Sequence, residues 1–280
     1  MKVLVTGANG QLGYDVVKEL QKQNIECYGA TRKDFDITDF RSTYTFIINY
    51  MPDAVIHCAA YTAVDKAEDE QGLCHLVNTS ATENIAEICK KINAKLLYIS
   101  TDYVFNGIKD GFYEVDDETN PINVYGKSKL LGEGAVQKIL KKYVIVRISW
   151  VFGKHGNNFV KTMMRLGKEL KEINVVSDQY GSPTYTADLS SLLVEMIKTE
   201  KYGIYHATNE GVCSWAEFAE EIFKIAKMDV KVNHIATAEY RTRAKRPLNS
   251  KLSKKRIKEN FYELPNWKSS LQTFIKNLNI

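Results

Sequence analysis

The sequence lacks the features that mark membrane, disulfide-stabilised and metal-binding proteins. None of its apolar runs approaches the roughly 20 residues that a membrane-spanning helix needs. Its five cysteines have no C-x-x-C spacing, and its five histidines are scattered along the chain. The first residues, MKVLVTG, lead directly into a strand-and-turn pattern without the basic and apolar regions of a signal peptide. We therefore expect a cytoplasmic protein with reduced thiols, no membrane partner and no metal site.

Acidic residues are missing from one long segment, although the net charge of the chain is only +4. Between residues 241 and 258 nine residues are Lys or Arg and none is Asp or Glu. Such a segment could bind nucleic acid, or it could form a solvated helix face, as charge runs usually do. A third interpretation is an anion-binding wall for a phosphorylated small molecule. The segment alone does not decide among the three.

Hydrophobic patterning predicts alternating strands and helices in the first half of the chain. The candidate strands are mostly continuous apolar runs, as expected of strands buried on both faces: residues 2–6, 25–30, 53–60, 95–100 and 143–149. Helical patterns lie between them, near residues 11–24, 38–50, 76–93 and 122–141. This βαβ alternation predicts an α/β protein with a doubly wound parallel sheet of the Rossmann type.

The pattern changes beyond Val151, where a smaller C-terminal lobe interleaved with the sheet is expected. Helices are predicted over residues 157–170, 186–199 and 214–227. Ser214 and Glu217 form a capping box at the start of the last of these helices. A short strand is predicted at INVV, and a strand at 203–208 is predicted to rejoin the main sheet.

These elements predict two interleaved parts. The first is a dinucleotide-binding domain of residues 1–153 plus about 186–208. The second is a substrate lobe of about residues 154–185 plus 209–280. No composition shift or Pro- or Gly-rich linker separates the two parts, so we expect the chain to cross between them more than once.

A glycine-rich turn follows the first predicted strand and opens the first predicted helix. In VTGANGQLG, Gly7, Gly10 and Gly13 have the spacing G-x-x-G-x-x-G. Glycine has no Cβ, so the backbone can turn tightly and a pyrophosphate can approach the N–H groups of a helix N-terminus. The position of the motif directly after a buried strand predicts a dinucleotide site.

The residues after the second predicted strand should face the adenosine ribose of such a cofactor. Arg32 and Lys33 could receive a 2′-phosphate, whereas Asp34 and Asp36 suit a free ribose or the adenine. The sequence therefore predicts NADH or NADPH without deciding between them.

A hydroxyl, a tyrosine and a lysine predict chemistry on a carbonyl group. STDYVF closes the fourth strand and puts a hydroxyl at the carboxyl edge of the sheet. Tyr125 and Lys129 are one turn apart on the following helix, where an ammonium within about 4–6 Å would lower the tyrosine pKa by ~1–3 units. Such a tyrosine could exchange a proton with a carbonyl that a Ser or Thr hydroxyl orients, while a nicotinamide supplies the hydride.

Together these motifs resemble the extended short-chain dehydrogenase/reductase superfamily, and within it the dTDP-4-dehydrorhamnose reductase family. The resemblance runs over nearly the whole chain, through VTGANGQLG, AAYTAVDKAE, STDYVF, NVYGKSKLLGE, RISWVFG, GNNFVKTM, DQYGSPT and RPLNSKL. It implies reduction of the C4 ketone of dTDP-4-dehydro-β-L-rhamnose to dTDP-β-L-rhamnose by NADH or NADPH. A dTDP-sugar would then be the partner, and nucleic acid would not.

The resemblance also implies roles for individual residues. Tyr125 is the implied acid, Lys129 its partner and a ribose ligand, and Thr101 the hydroxyl that orients the sugar carbonyl. From the glycine turn and the resemblance together, the candidate cofactor residues besides Tyr125 and Lys129 are Gly7, Gly10, Gln11, Leu12, Gly13, Arg32, Asp36, Ile37, Ala59, Ala60, Tyr61 and Thr62. The implied substrate residues are Thr101, Tyr125, Trp150, Asn158 and Arg246, the last of which would face the dTDP pyrophosphate.

One dipeptide favours reduction over a related reaction. Nucleotide-sugar 4,6-dehydratases typically carry Asp-Glu after the threonine, whereas here Asp102 is followed by Tyr103, so the second carboxylate is missing. Two alternatives remain. One is a non-catalytic subunit resembling the regulatory β subunit of methionine adenosyltransferase, and the other is another nucleotide-sugar reductase, epimerase or dehydratase. Some family members use Mg²⁺ at a dimer contact, but no metal-ligand spacing supports that here, and a homodimer is one candidate assembly.

Overall fold

The computed structural model describes residues 1–278, which form twelve strands and eleven α-helices. The strands are β1 (Lys2–Thr6), β2 (Glu26–Ala30), β3 (Ala54–His57), β4 (Lys95–Thr101), β5 (Tyr143–Ile148), β6 (Val151–Phe152), β7 (Glu172–Val176), β8 (Tyr180–Gly181), β9 (Thr184–Tyr185), β10 (Gly203–His206), β11 (Cys213–Ser214) and β12 (Lys231–Ile235). The helices are α1 (Gln11–Lys22), α2 (Phe40–Tyr50), α3 (Val64–Ala67), α4 (Gln71–His75), α5 (Ala81–Lys91), α6 (Val124–Ile139), α7 (Phe159–Glu169), α8 (Thr186–Lys198), α9 (Trp215–Ile225), α10 (Lys255–Asn260) and α11 (Trp267–Lys276).

Six parallel strands form the main sheet in the order β2–β1–β3–β4–β5–β10. Because β2 lies on one side of β1 and β3 on the other, the strand order reverses at β1. Such a switch point leaves a crevice at the carboxyl ends of the strands, where ligands bind. The prediction of a doubly wound parallel sheet is confirmed, and the strand predicted at 203–208 joins it as β10, beside β5.

Alternate residues of the central strands pack against helices on opposite faces of the sheet. In β1, Val3 and Val5 share an apolar cluster with residues of α1 and α8, whereas Leu4 packs with residues of α2, α5 and α6. All three side chains are fully buried. Burial of apolar surface contributes about 25 cal/mol per Å², so both faces of the strand are stabilised by apolar side chains. This explains why the strands read as continuous apolar runs.

Side-chain caps fix where the helices begin. Asp39 accepts hydrogen bonds from the backbone N–H groups of Arg41 and Ser42, so α2 begins two residues later than the sequence pattern suggested. Asn123 accepts one from Gly126 and thereby places the start of α6. The predicted capping box of Ser214 opens α9.

A second apolar core lies outside the main sheet. It contains aromatic side chains from short strands and from α9 and α11, among them Phe152, Phe218, Trp267 and Phe274.

The division of the chain into a dinucleotide-binding domain and a substrate lobe remains a prediction. Two residues of the predicted C-terminal lobe, Ile257 and Leu264, pack in the core of the main sheet. Within residues 1–278, no helix is long and apolar enough to cross a membrane.

Candidate active site

A cavity of about 910 Å³ opens at the carboxyl ends of the central strands. Thr6 at the end of β1, Cys58 after β3, Thr101 at the end of β4 and Ile148 at the end of β5 all line it. The cavity therefore lies at the switch point of the sheet, where this topology binds ligands. Trp215 of α9, from the second apolar core, also lines the cavity, so residues from both cores surround it.

The glycine turn forms one wall of this cavity. Gly7 has a φ of +67°, and a Cβ there would lie 2.8 Å from backbone atoms of Ala59. A Cβ on Gly13 would lie 2.3 Å from the Gly7 carbonyl oxygen, so Gly13 allows α1 to pack closely against the turn. The N-cap of α1 is Gly10, which has no side chain to cap the first N–H groups. The turn therefore fits the pyrophosphate of a dinucleotide, whose charge the helix N-terminus stabilises.

Arg32 and Asp36 line the cavity, whereas Lys33 and Asp34 do not. The carboxylate of Asp34 accepts hydrogen bonds from the Tyr28 hydroxyl at 2.6 Å and from the Thr31 N–H at 2.8 Å. Hydrogen bonds from the backbone and hydroxyl of Thr38 lower the pKa of Asp36. The cavity lining thus includes both a guanidinium, which suits a 2′-phosphate, and a carboxylate, which suits a free ribose.

Thr101, Tyr125 and Lys129 all line the same cavity, as the sequence predicted. The Thr101 hydroxyl donates to the Asp102 carboxylate at 2.9 Å and accepts from the Tyr103 N–H at 3.2 Å. The ammonium of Lys129 lies 4.0 Å from the centre of the Tyr98 ring, and only 2% of the lysine is exposed. A hydroxyl, a phenol and an amine therefore line one cavity.

The pKa values in this group differ from the sequence-based expectation. Burial raises the pKa of Tyr125, and a hydrogen bond with Thr101 offsets only part of the rise. Burial lowers the pKa of Lys129 to about 7. The prediction that Lys129 depresses the tyrosine pKa is therefore wrong, because burial raises that pKa and the influence that opposes the rise is the hydrogen bond with Thr101, not the amine. Tyr125 consequently keeps its proton at neutral pH, which suits a proton donor.

Asp102 and Tyr103 follow Thr101 into the cavity wall. Asp102 is 3% exposed, and burial raises its pKa to about 6. The Tyr103 ring lies edge-on to Tyr125, with the ring centres 6.0 Å apart. A phenol thus occupies the position where a second carboxylate was considered, and it packs on the candidate proton donor.

Two stacked indoles also line the cavity. Trp150 and Trp215 have ring centres 3.6 Å apart and nearly parallel planes, and both line the cavity. Trp150 has a φ of +48°, an uncommon conformation for a bulky residue. A Cβ on Gly181 would lie 2.7 Å from the Trp150 ring, so this glycine leaves room for the indole. The sequence analysis missed Trp215, since no local pattern links it to Trp150.

Tyr61 and Arg246 were predicted site residues, but neither lines the cavity. The Tyr61 hydroxyl donates to Glu70 at 2.7 Å, and the Arg246 guanidinium donates to Asp65 at 2.6 Å. Five of the nine cations of the basic segment pair with carboxylates in this way: Arg243, Arg246, Lys254, Arg256 and Lys258. These pairs favour a structural role for much of that segment.

Asn158 also lies just outside the cavity, where it connects α7 to the glycine turn. Its side chain caps α7 by accepting from the Lys161 N–H at 3.0 Å. Its amide donates to the Gln11 side chain at 3.0 Å and to the Gly153 carbonyl at 2.9 Å. Asn158 therefore contacts a predicted pyrophosphate residue.

The model of the RmlD substrate binding domain family matches residues 1–280. The chain belongs to this family. It is 40% identical over 275 residues to spore coat polysaccharide biosynthesis protein SpsK of Bacillus subtilis, covering 98% of this chain and 97% of that protein. It is 41% identical over 290 residues to dTDP-4-dehydrorhamnose reductase of Aggregatibacter actinomycetemcomitans, covering 99% and 98%.

A solved structure has the same fold over almost the whole chain. It is dTDP-4-dehydrorhamnose reductase of Bacillus anthracis in complex with NADP, with a TM-score of 0.96, 44% identity and 98% coverage of both chains. The resemblance seen in the motifs is thereby confirmed at the level of the family. Of the residues that the sequence analysis selected, six do not line the cavity: Gly13, Lys33, Asp34, Tyr61, Asn158 and Arg246. The other candidate cofactor and substrate residues do.

Proposed function

We propose that this chain reduces the C4 ketone of dTDP-4-dehydro-β-L-rhamnose to dTDP-β-L-rhamnose, with NADH or NADPH as reductant. The main observation is that Thr101, Tyr125 and Lys129 share one cavity with the glycine turn. The relatives support the substrate, because a protein 41% identical over nearly its full length is named dTDP-4-dehydrorhamnose reductase. A structure 44% identical is a complex with NADP, which supports a nicotinamide cofactor.

Each side chain has a distinct part in this proposal. The nicotinamide cofactor supplies a hydride when it is bound. Tyr125 donates its phenolic proton to the sugar oxygen, and its raised pKa keeps that proton in place beforehand. The Thr101 hydroxyl orients the same oxygen. Lys129 binds the ribose, and in its charged form it stabilises the phenolate that remains on Tyr125.

The glycine turn and the aromatic wall position the two ligands. Gly7, Gly10, Gln11 and Leu12 surround the pyrophosphate of the cofactor in this proposal. Trp150 lines the same cavity and would contact the sugar nucleotide. Burial of both reactants in one cavity converts a bimolecular encounter into an oriented reaction.

Simple reduction is favoured over dehydration and over a non-catalytic role. Dehydration needs an acid and a base to remove water, and Tyr103 stands where a second carboxylate would be needed. The regulatory-subunit alternative is disfavoured, because the hydroxyl, phenol and amine are all present and line one cavity. A cytoplasmic location and a homodimer are further parts of the proposal, the first supported by five free cysteines.

Turnover of dTDP-4-dehydro-β-L-rhamnose with NADH and with NADPH, followed at the nicotinamide absorbance, tests the function. We expect one cofactor molecule to be oxidised for each C4 hydroxyl formed, and much less turnover with UDP- or GDP-ketosugars. If a folded sample binds cofactor but reduces this sugar with neither NADH nor NADPH, the proposed function is wrong. Product formation without net cofactor oxidation would indicate an epimerase or dehydratase instead.

A further inference from the structure

A buried ion pair lies one helical turn beyond Lys129. Glu133 follows Lys129 by four residues on α6, so Tyr125, Lys129 and Glu133 share one face of the helix. Glu133 is 1% exposed, and its partner Arg147 on β5 is 3% exposed. The guanidinium donates twice to the carboxylate, from Nη2 at 2.7 Å and from Nε at 3.0 Å. This two-point contact fixes the carboxylate plane as well as its position.

The pair connects the catalytic helix to the strand that carries Thr101. The Ser100 hydroxyl donates to Glu133 Oε1, and Ser100 directly precedes Thr101 at the end of β4. Arg147 also donates from Nη1 to the Val115 carbonyl at 3.1 Å. Because one carboxylate binds both β4 and β5, it sets the position of α6 relative to the end of the sheet. Glu133 therefore links the strand end that carries Thr101 to the helix that carries Tyr125 and Lys129.

Among the groups around Lys129, Glu133 is the acidic residue with the strongest influence on the pKa of the lysine. The lysine ammonium lies over the neutral ring of Tyr98, and the nearby thiols of Cys58 and Cys74 have raised pKa values and are uncharged. Neighbouring His57 is also neutral, since burial lowers its pKa to about 3. Glu133 leads the influences that raise the pKa of Lys129 against the effect of burial.

We propose that Glu133 is a positioning residue for the reduction, one that acts through Lys129 by favouring its charged form. This inference rests on the proposed function, because it assigns the ammonium a task in that reaction. A purely mechanical link between helix and sheet does not need charges. Buried ion pairs replaced by apolar side chains of similar volume often leave stability unchanged or higher. Within residues 1–278, Lys129 is the one amine that lines the cavity, so the charge of Glu133 has its effect there.

The test compares the titration of Lys129 with and without the Glu133 charge. Glu133→Gln keeps the shape and hydrogen-bonding oxygen but removes the charge. In the free protein, the pH dependence of the unfolding free energy, measured against the same background carrying Lys129→Met, reports the lysine titration. We expect Glu133→Gln to move its midpoint to lower pH by about one unit, the scale of a neighbouring opposite charge. The alkaline fall of kcat/KM should move in the same direction.

Two further variants separate this role from a structural one. Glu133→Leu combined with Arg147→Met removes the charges but keeps an apolar contact between helix and sheet, so it remains informative if Glu133→Gln does not fold. It should show a smaller shift in the same direction, because the opposing charge of Arg147 is removed as well, whereas Glu87→Gln, an exposed change on neighbouring α5, should show none. An unshifted lysine titration in both Glu133 variants would overturn the proposal. Because that titration needs no turnover, it remains decisive even if the wild-type protein fails to reduce the expected sugar.

Discussion

The burial of Lys129 predicts that this residue destabilises the free protein at neutral pH. Its pKa falls from 10.5 to about 7, because burial disfavours the ammonium. One pKa unit corresponds to about 1.4 kcal/mol of free energy, so the shift represents about 4–5 kcal/mol. Lys129→Met keeps an unbranched side chain of similar length and removes the titrating group. We therefore expect the variant to be more stable than wild type near pH 7.

The sign of the pH dependence follows from where the proton is held. In the unfolded chain the lysine stays protonated up to about pH 10.5, whereas in the folded protein it releases the proton above about pH 7. Between these values the unfolded state binds more protons, so this residue makes the unfolding free energy rise with pH. The stability advantage of Lys129→Met is therefore largest at or below about pH 7. It should shrink by about 1.4 kcal/mol for each unit between pH 8 and pH 10.

Urea unfolding of wild type and Lys129→Met at about pH 7, 8 and 9 measures this difference. Lys127→Met is the matched control, since Lys127 is exposed on the same helix and should give a difference that does not change with pH. A difference for Lys129→Met that is constant across the series would refute the reasoning, because it would mean that the lysine titrates normally. Nicotinamide binding should weaken in the stabilised variant, which would place Lys129 among residues that trade stability for function.

Other predictions concern turnover. Tyr125→Phe should lower kcat by roughly 10²–10⁴-fold while cofactor binding persists, since it removes the proton donor; full activity would disprove that role. Trp215→Ala should raise KM for the sugar nucleotide and leave cofactor affinity unchanged, because Trp215 stacks on Trp150, and Trp215→Phe should restore part of the loss. A lower cofactor affinity with an unchanged KM for the sugar nucleotide would contradict this role of Trp215. The kcat/KM of wild type should fall as pH rises through about 7, where Lys129 loses its charge; a flat profile from about pH 6 to 9 would count against a charged lysine in the reaction.

The sequence predicted the strands that are buried on both faces, but it predicted less accurately the residues at which these strands end. Val3, Leu4 and Val5 are apolar because helices cover both sides of β1, and this reads directly from the sequence. The predicted strand 53–60 extends beyond the observed end of β3 at His57, because the chain then leaves the sheet to pass close to Gly7. The strand β12 and the helices α10 and α11 were not predicted. The residues of β12 are at least partly exposed, so the strand has no apolar signal and is held by its pairing with β7.

The predictions for the site succeeded where the signal was local in sequence and failed where it depended on the fold. Tyr125 and Lys129 were found because their spacing on one helix is local, and the glycine turn was found because it follows a strand. Trp215 was missed because its stacking on Trp150 depends on how α9 packs, which no local pattern records. The direction of the Tyr125 pKa was predicted wrongly for the same kind of reason. Spacing shows which charges are near, whereas the desolvation that outweighs them depends on the whole fold.

The inward face of α6 is where these effects meet. Burial raises the pKa of Tyr125, yet burial on the same helix face lowers the pKa of Lys129 one turn later and so removes its charge. A carboxylate placed at the next turn counteracts that loss without contacting the substrate, and Arg147 pairs with this carboxylate in the interior at 2.7 Å. The order phenol, amine, carboxylate along one helix face thus allows a protonated tyrosine and a charged lysine to coexist in one buried site. Removal of the carboxylate should therefore lower the pKa of the amine, and the Glu133 variants measure this change.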